Sequence, residues 1–248
     1  MLGIYLPKNN KKKIVSKFSI PEKIKRNNID SIYIRNSLLK TLKNINVKFI
    51  DSFLLHNLSD LNKSELIKIF ESMILLKEVG LVRRIGVSIY DQKELERLPL
   101  DLIDIVELPL SIYNQQFKTK GILKILNELG IAIHARSIFL QGLLLQKSSS
   151  WPNSISSSFC KHHNNYENIL NKNNISLLQS ALYFLLKTKN IEAFVFGITN
   201  LKELNEIILT YKNLTHLEKK FSLIDFDNFT WNNIHDIDPR YWQKKHNS

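Results

Sequence analysis

The sequence contains few of the residues that cross-link a chain or punctuate it: one cysteine, seven glycines and six prolines in 248 residues. A single cysteine, Cys160, excludes an internal disulfide framework and favours a reducing compartment, so we expect a cytoplasmic protein. No apolar run approaches the roughly 18 residues needed to span a bilayer, and no secretory signal pattern follows Met1. Glycine-rich phosphate loops and serine nucleophile elbows are also lacking.

Acidic residues are outnumbered by basic ones, which gives a formal net charge of +12. The excess is mostly lysine spread along the chain, and its one dense patch, Lys8 to Lys13, has no interleaved aromatic residues. Sites for nucleic acid cluster their basic residues, so we interpret this charge as a solvated surface and expect no nucleic-acid partner. Cys160, His162 and His163 lack the spacing of a zinc site, and we predict no metal.

Strand and helix patterns alternate along the chain, with 44% hydrophobic residues overall. Helix 64–79 is predicted to bury Leu66, Ile69, Phe70 and Met73, and Gly80 is placed to end it. Residues 146–174 are rich in Ser and Asn and are predicted to be irregular. The other predicted helices are 30–45, 91–98, 119–129, 176–187 and 201–211. The predicted strands are 12–17, 47–56, 84–88, 101–108, 131–136 and 191–196.

This alternation predicts an α/β fold with a parallel sheet and right-handed crossovers. Six strand-helix units are found where a TIM (β/α)8 barrel has eight, so we expect a TIM-type barrel that lacks its first two strands and is open or incompletely closed. We predict one domain over residues 1–248, with residues 215–248 as a tail packed on it through aromatic anchors such as Trp231. Uncovered barrel edges predict self-association.

Four stretches together resemble the aldo/keto reductase family: 47–56, 80–88, 131–145 with Gln141-Gly142-Leu143, and 195–204. Residues 107–110 and 134–142 look most like a branch found among surface-polysaccharide and nucleotide-sugar genes. The resemblance implies hydride transfer between NADP or NAD and a small carbonyl or alcohol substrate, and the resemblance to this branch implies a substrate derived from a sugar. In this family a tyrosine donates the proton, tuned by a lysine and its partner aspartate, and a histidine orients the carbonyl.

By resemblance, Lys17 and His56 occupy the lysine and histidine positions, each at a strand carboxyl end. Ser88 and Glu107 occupy positions that contact the nicotinamide carboxamide, although Ile89 replaces an asparagine and Glu107 a glutamine. Arg136 stands where a tyrosine commonly stacks on the ring, and a guanidinium could stack instead. The remaining cofactor residues implied are those of the pyrophosphate loop and of the last strand and helix: Ser137, Phe139, Gly142, Gly197, Thr199, Lys202, Glu203 and Glu206.

The family's aspartate and tyrosine positions lie upstream of Lys17 and have no match in these 248 residues. Met1 to Tyr5 resembles the end of the helix that follows them, so Tyr5 is not a substitute proton donor. We therefore expect an N-terminally truncated member of the family that is inactive as this chain. The alternative is a non-catalytic remnant, or a partner-binding pseudoenzyme, that retains part of a nucleotide site.

Overall fold

The computed structural model describes residues 13–21, 31–58 and 61–242. Six strands lie in one sheet in the order of the chain, and the first three neighbouring pairs are parallel. The first and last strands are not neighbours, so within the described residues the sheet is open. The strands are β1 Val15–Phe18, β2 Ile50–His56, β3 Val82–Ser88, β4 Ile105–Pro109, β5 Ala132–Arg136 and β6 Ala193–Phe194.

In the described residues, one or two α-helices lie between each strand and the next, and further helices follow β6, which makes six strand-helix units. The α-helices are α1 Ser31–Ile45, α2 Lys63–Glu78, α3 Gln92–Glu96, α4 Gln116–Thr119, α5 Ile122–Glu128, α6 Ser157–Lys172, α7 Leu177–Lys187, α8 Leu201–Asn213, α9 Glu218–Phe221 and α10 Ile234–Ile237. The predicted TIM-type α/β fold with an incomplete, open sheet is confirmed. Among the described residues, no helix is long and apolar enough to cross a membrane.

The chain divides into two compact units. Unit 1 comprises residues 1–108 and 125–134, and unit 2 comprises residues 109–124 and 135–248. The prediction of one domain over residues 1–248 stays a prediction. Residues 1–12, which include Met1 to Tyr5 and most of the Lys8 to Lys13 patch, lie outside the described residues.

Helix α2 shows how sequence sets local structure in unit 1. Asn62 accepts a hydrogen bond from the Glu65 main chain, and the Glu65 side chain accepts one from Asn62, so two main-chain donors at the helix start are satisfied. Gly80 follows the helix with φ of +75°, a conformation that costs glycine little. The predicted buried face is confirmed, and its residues are Leu66, Ile69, Phe70 and Met73.

The prediction that residues 146–174 are irregular is wrong, because they contain the 16-residue helix α6. Ser156 caps its start by accepting a hydrogen bond from the Phe159 main chain. Its buried side chains recur every three or four positions, and they are Phe159, His163, Tyr166 and Leu170. Two of these four are polar aromatic residues, so the buried face does not stand out by hydrophobicity in a Ser/Asn-rich segment.

Two other predicted elements are shorter than expected. The helix predicted over 119–129 is interrupted at Gly121, which has φ of +70°, and it becomes α4 and α5. The strand predicted over 191–196 is reduced to the two residues of β6. Directly after it, the main-chain N–H of Val195 donates a hydrogen bond to the Ala135 carbonyl of β5.

The described part of the tail packs within unit 2. Trp231 stacks on Phe159 of α6 with ring centroids 5.1 Å apart. Asp236 accepts hydrogen bonds from the main chain and hydroxyl of Ser156, each 2.8 Å long, and from the Trp231 indole at 2.9 Å. This buried carboxylate therefore ties residues 231–236 to the start of α6.

Candidate functional site

Four of the predicted site residues share one face of the sheet in unit 1. Lys17 of β1 pairs in register with Leu54, which pairs with Gly86. Two residues further along the strands, His56 pairs with Ser88 and Ser88 pairs with Glu107. Residues that pair in register point to the same face of the sheet, and along each strand every second side chain returns to that face. These four side chains therefore lie together at the carboxyl ends of β1 to β4.

Lys17, Ser88 and Glu107 form one hydrogen-bonded cluster. The Lys17 ammonium makes an ion pair with Glu107 Oε1, and the Ser88 hydroxyl donates to the same oxygen over 2.9 Å. The Glu107 side chain is 1% exposed, whereas that of Lys17 is 34% exposed. A buried carboxylate is costly unless it is paired and hydrogen-bonded, and here both conditions are met.

The pairing of Lys17 with Glu107 was not foreseen from the sequence, which placed the two residues in separate roles. The ion pair joins β1 to β4 across two intervening strands. Gly86 has no side chain on the face between them. The usual partner of this lysine in the family is an aspartate, and in this chain a glutamate from β4 provides the counter-charge.

His56 lies beside a residue that the sequence did not single out, Tyr90. The Tyr90 hydroxyl is 3.3 Å from His56 Nε2, and the two rings meet edge to face with centroids 6.0 Å apart. The Tyr90 main chain is fixed by a 2.6 Å hydrogen bond to the Glu94 carboxylate of α3. Tyr90 lies two residues beyond Ser88, and strand alternation carried past the end of β3 could have found it.

In unit 2, the predicted pyrophosphate loop turns sharply. Ser137, Leu140, Gln141 and Gly142 all have positive φ, between +46° and +92°. The Arg136 guanidinium donates a 3.2 Å hydrogen bond to the Ser137 hydroxyl, and the Phe139 ring lies 5.8 Å from that of Phe196. Within the turn, the main-chain N–H of Leu140 donates to the Ser137 carbonyl over 2.9 Å, and that of Gly142 donates to the Phe139 carbonyl over 2.8 Å.

The predicted phosphate position at the start of α8 is occupied by the chain itself. Glu203 accepts hydrogen bonds from the Thr199 main chain and hydroxyl, each 2.7 Å long, and the Glu203 main chain donates to the Asn200 side chain over 2.9 Å. The hydrogen bonds from Thr199 lower the pKa of Glu203 below its ordinary value, so it is anionic at neutral pH. Gly197, Lys202 and Glu206 lie nearby in the sequence and are exposed.

Unit 2 also contains a buried aromatic cluster that includes the histidines excluded from metal binding. His163 lies between the Tyr113 hydroxyl, 2.6 Å from Nδ1, and the Gln146 carbonyl, 2.8 Å from Nε2. Burial lowers the pKa of His163, and burial raises the pKa of the Cys160 thiol. Among the described residues, no group of three His, Cys, Asp or Glu side chains could hold a metal ion.

The residues present fit a nicotinamide nucleotide in part. The cluster around Glu107 offers a carboxylate, a hydroxyl and an ammonium, which suit a carboxamide. In the turn predicted to hold the pyrophosphate, the N–H groups of Leu140 and Gly142 are already used within the turn. The start of α8 does not suit an additional phosphate, because the Glu203 carboxylate already satisfies its donors. Of the residues predicted to contact the nicotinamide, Ser88 and Glu107 belong to unit 1 and Arg136 belongs to unit 2, as do the residues predicted to contact the phosphates.

Solved structures show the same fold. An aldo-keto reductase from Bacillus halodurans in its holo form matches with a TM-score of 0.65 and 16% identity, over 95% of this chain and 79% of that chain. The glycerol dehydrogenase of Gluconobacter oxydans matches with a TM-score of 0.59 and 17% identity, over 86% and 76% of the two chains. A thermostable aldo-keto reductase in complex with the inhibitor epalrestat has a TM-score of 0.58 and 22% identity, over 87% and 70%.

No curated protein sequence matches the chain. The model of the aldo/keto reductase family matches residues 1–225, nearly the whole of the chain. The family match is independent of the geometry around Lys17 and His56, and the two agree on the fold. The chain belongs to the aldo/keto reductase family.

Proposed function

We propose that this chain is a nicotinamide-nucleotide protein of the aldo/keto reductase type, whose parent reaction is hydride transfer between the nicotinamide and a small carbonyl or alcohol substrate. The observation that carries the proposal is the meeting of Lys17, Ser88 and Glu107 on one face at the strand carboxyl ends, where a parallel α/β fold collects its site. When bound, the nucleotide would supply the hydride. Ser88 and Glu107 would orient the carboxamide, and His56 would orient the substrate oxygen.

We further propose that the 248-residue chain binds nucleotide without reducing carbonyls. In unit 1, Tyr33 and Tyr90 are the described tyrosines, and neither lies at the position that donates the proton in the family. Tyr33 donates its hydroxyl to the Ser19 carbonyl, and Tyr90 is placed against His56. The second candidate function is a partner-binding pseudoenzyme. It also predicts no turnover of carbonyl substrates, but it requires a protein partner.

Cofactor choice is proposed from the start of α8. The Glu203 carboxylate there would repel the 2′-phosphate that distinguishes NADP from NAD, and Lys202 beside it is exposed. We therefore propose that NAD binds at least as tightly as NADP. The substrate, if one is turned over, is proposed to be a small, sugar-derived carbonyl compound, on the resemblance of residues 134–142 alone.

Calorimetric titration of the purified chain with NADH, NADPH, NAD+ and NADP+ tests the proposal, combined with a turnover assay on aldehydes and reducing sugars. We expect binding of at least one nucleotide and no turnover above the background rate. Absence of binding by all four nucleotides would refute the proposed function. Turnover that is abolished by Lys17→Met would refute the proposed inactivity and leave the family reaction in place.

Location and assembly remain proposals. The single cysteine supports a cytoplasmic protein. Self-association is supported by apolar side chains around the end strand β6 that remain exposed, among them Val195, Ile198 and Leu201. Light scattering coupled to size exclusion checks assembly, and a monomer mass at every concentration up to the micromolar range would contradict it. Fractionation of cells that make the protein checks the location, and recovery outside the cytoplasmic fraction would contradict it.

A further inference from the structure

The cluster at the proposed nicotinamide position contains one positive and one negative charge. The Lys17 ammonium is partly exposed, and the Glu107 carboxylate that pairs with it is buried and also accepts from Ser88. Within this cluster, the Glu107 carboxylate therefore offsets the charge of the Lys17 ammonium. If a neutral glutamine stood at position 107, a ligand beside Lys17 would meet an unbalanced ammonium.

We infer that Glu107 determines the relative affinity of this site for the oxidised and reduced forms of a nicotinamide cofactor. The inference rests on the proposed function, because it assigns a property to the same site. The oxidised nicotinamide ring carries a positive charge that the reduced ring lacks, so the ratio of their dissociation constants responds to charge at the ring position. Glu107 offsets the repulsion that Lys17 alone would exert on the cationic ring.

The expected size of the effect follows from Coulomb's law. Two unit charges about 6 Å apart, at an effective dielectric constant of about 40 for a partly exposed site, change an equilibrium constant about tenfold. The dielectric constant is set between that of the protein and that of water because about a third of the Lys17 side chain is exposed. The reduced ring has no net charge, so its affinity should change much less.

Three variants test the inference: Glu107→Gln, Lys17→Met and the double variant. The measured quantity is the ratio of the dissociation constants of NAD+ and NADH, each obtained by calorimetric titration of the purified chain. Glu107→Gln should raise this ratio about tenfold, because Lys17 loses its counter-charge. Lys17→Met should lower it, because the carboxylate then attracts the cationic ring, and the double variant should return it to within about threefold of the wild-type ratio.

A second ion pair, between helix α2 and the residue before β4, provides matched controls. Lys77 and Asp104 are 2.6 Å apart, and Asp104 directly precedes β4, at the opposite end of the strand from Glu107. Lys77→Met and Asp104→Asn make the same charge changes away from the proposed ring position, so the ratio should stay within about twofold of wild type. Thermal melts of every variant separate a change in binding from a loss of folding.

The outcomes separate the inference from the proposed function. Nucleotide binding with the same ratio in Glu107→Gln as in wild type would overturn the inference alone, as would a double variant that keeps the ratio of Glu107→Gln. If Glu107→Gln does not fold, the opposite shift in Lys17→Met and its reversal in the double variant still decide the matter. No binding of either nucleotide by the wild-type chain would overturn the proposed function and the inference together.

Discussion

Acidification should weaken unit 2 through one buried histidine, His163. The His163 ring is fully buried, and its Nδ1 accepts a hydrogen bond from the Tyr113 hydroxyl. The centroids of the His163 and Trp151 rings are 4.5 Å apart. Burial lowers the pKa of His163 from the ordinary value of 6.5, and this effect exceeds the opposing contributions of the hydrogen bond to the Gln146 carbonyl and of the nearby Glu167. Protonation would also place an N–H on Nδ1, so the Tyr113 hydroxyl could no longer donate to that nitrogen.

The sign of the pH dependence follows from proton uptake. Below pH 6.5 the unfolded chain protonates His163 while the folded chain does not, so the unfolded state binds the extra proton. The free energy of unfolding contributed by this residue is therefore complete above pH 6.5 and is lost as the pH falls toward the lower, folded-state pKa. The loss should reach at most about 1.4 kcal/mol per pH unit in that window.

Urea unfolding followed by tryptophan fluorescence measures this slope, since Trp151, Trp231 and Trp242 all belong to unit 2. The test variant is His163→Gln, because an amide can accept from Tyr113 and donate to Gln146 but does not titrate. We expect a lower stability at pH 7.5 and a shallower loss between pH 6.5 and 5. His162→Gln, one residue earlier on α6, is the matched control. Equal slopes in wild type and His163→Gln, or a slope abolished only by His162→Gln, would refute the reasoning.

Two further substitutions, one in each unit, test close packing at Gly86 and hydrogen bonding at Asp236, each with a control. Gly86→Ala would place a methyl group 1.8 Å from a main-chain oxygen of β4, so we expect a loss of several kcal/mol in the free energy of unfolding, or failure to fold. Gly197→Ala, which meets no atom within 4 Å, should change stability by less than about 1 kcal/mol, and similar melting temperatures for the two would contradict this. Asp236→Asn points an amide N–H at the donors of Ser156, which should cost about 2 kcal/mol in urea unfolding. The exposed Asp225→Asn should cost less than half as much, and equal losses would contradict the role of Asp236.

The order of the strands and of most helices could be predicted because these elements have a clear period. In α2 the four residues predicted to face the core are all buried, since apolar side chains at spacings of three and four leave one orientation that covers them. Helix α6 could not be predicted in the same way, because its core face includes His163 and Tyr166, whose burial depends on partners elsewhere in unit 2. A side chain that is polar by composition becomes a core residue only once its hydrogen-bond partners are in place.

Lys17 and Glu107 illustrate the same limit for the candidate site. Each could be singled out from its neighbours in sequence, yet their pairing depends on the register of four strands. Ninety residues separate the two in sequence, so no local pattern connects them. Tyr90 likewise gains significance only from its distance to His56.

The net charge of +12 is a poor guide to what can bind at the Lys17–Glu107 pair or at the start of α8. Charges farther away than about 10 Å are largely screened at 0.1 M salt, so a ligand responds to the groups that lie next to it. At both positions the nearest groups include a glutamate of the chain itself: Glu107 balances Lys17, and Glu203 satisfies the donors at the start of α8. At these two proposed positions, a strongly basic chain thus presents locally neutral or acidic groups. Selectivity there must come from the charge and hydrogen-bonding groups of the nicotinamide and ribose, and the excess of lysine contributes little to it.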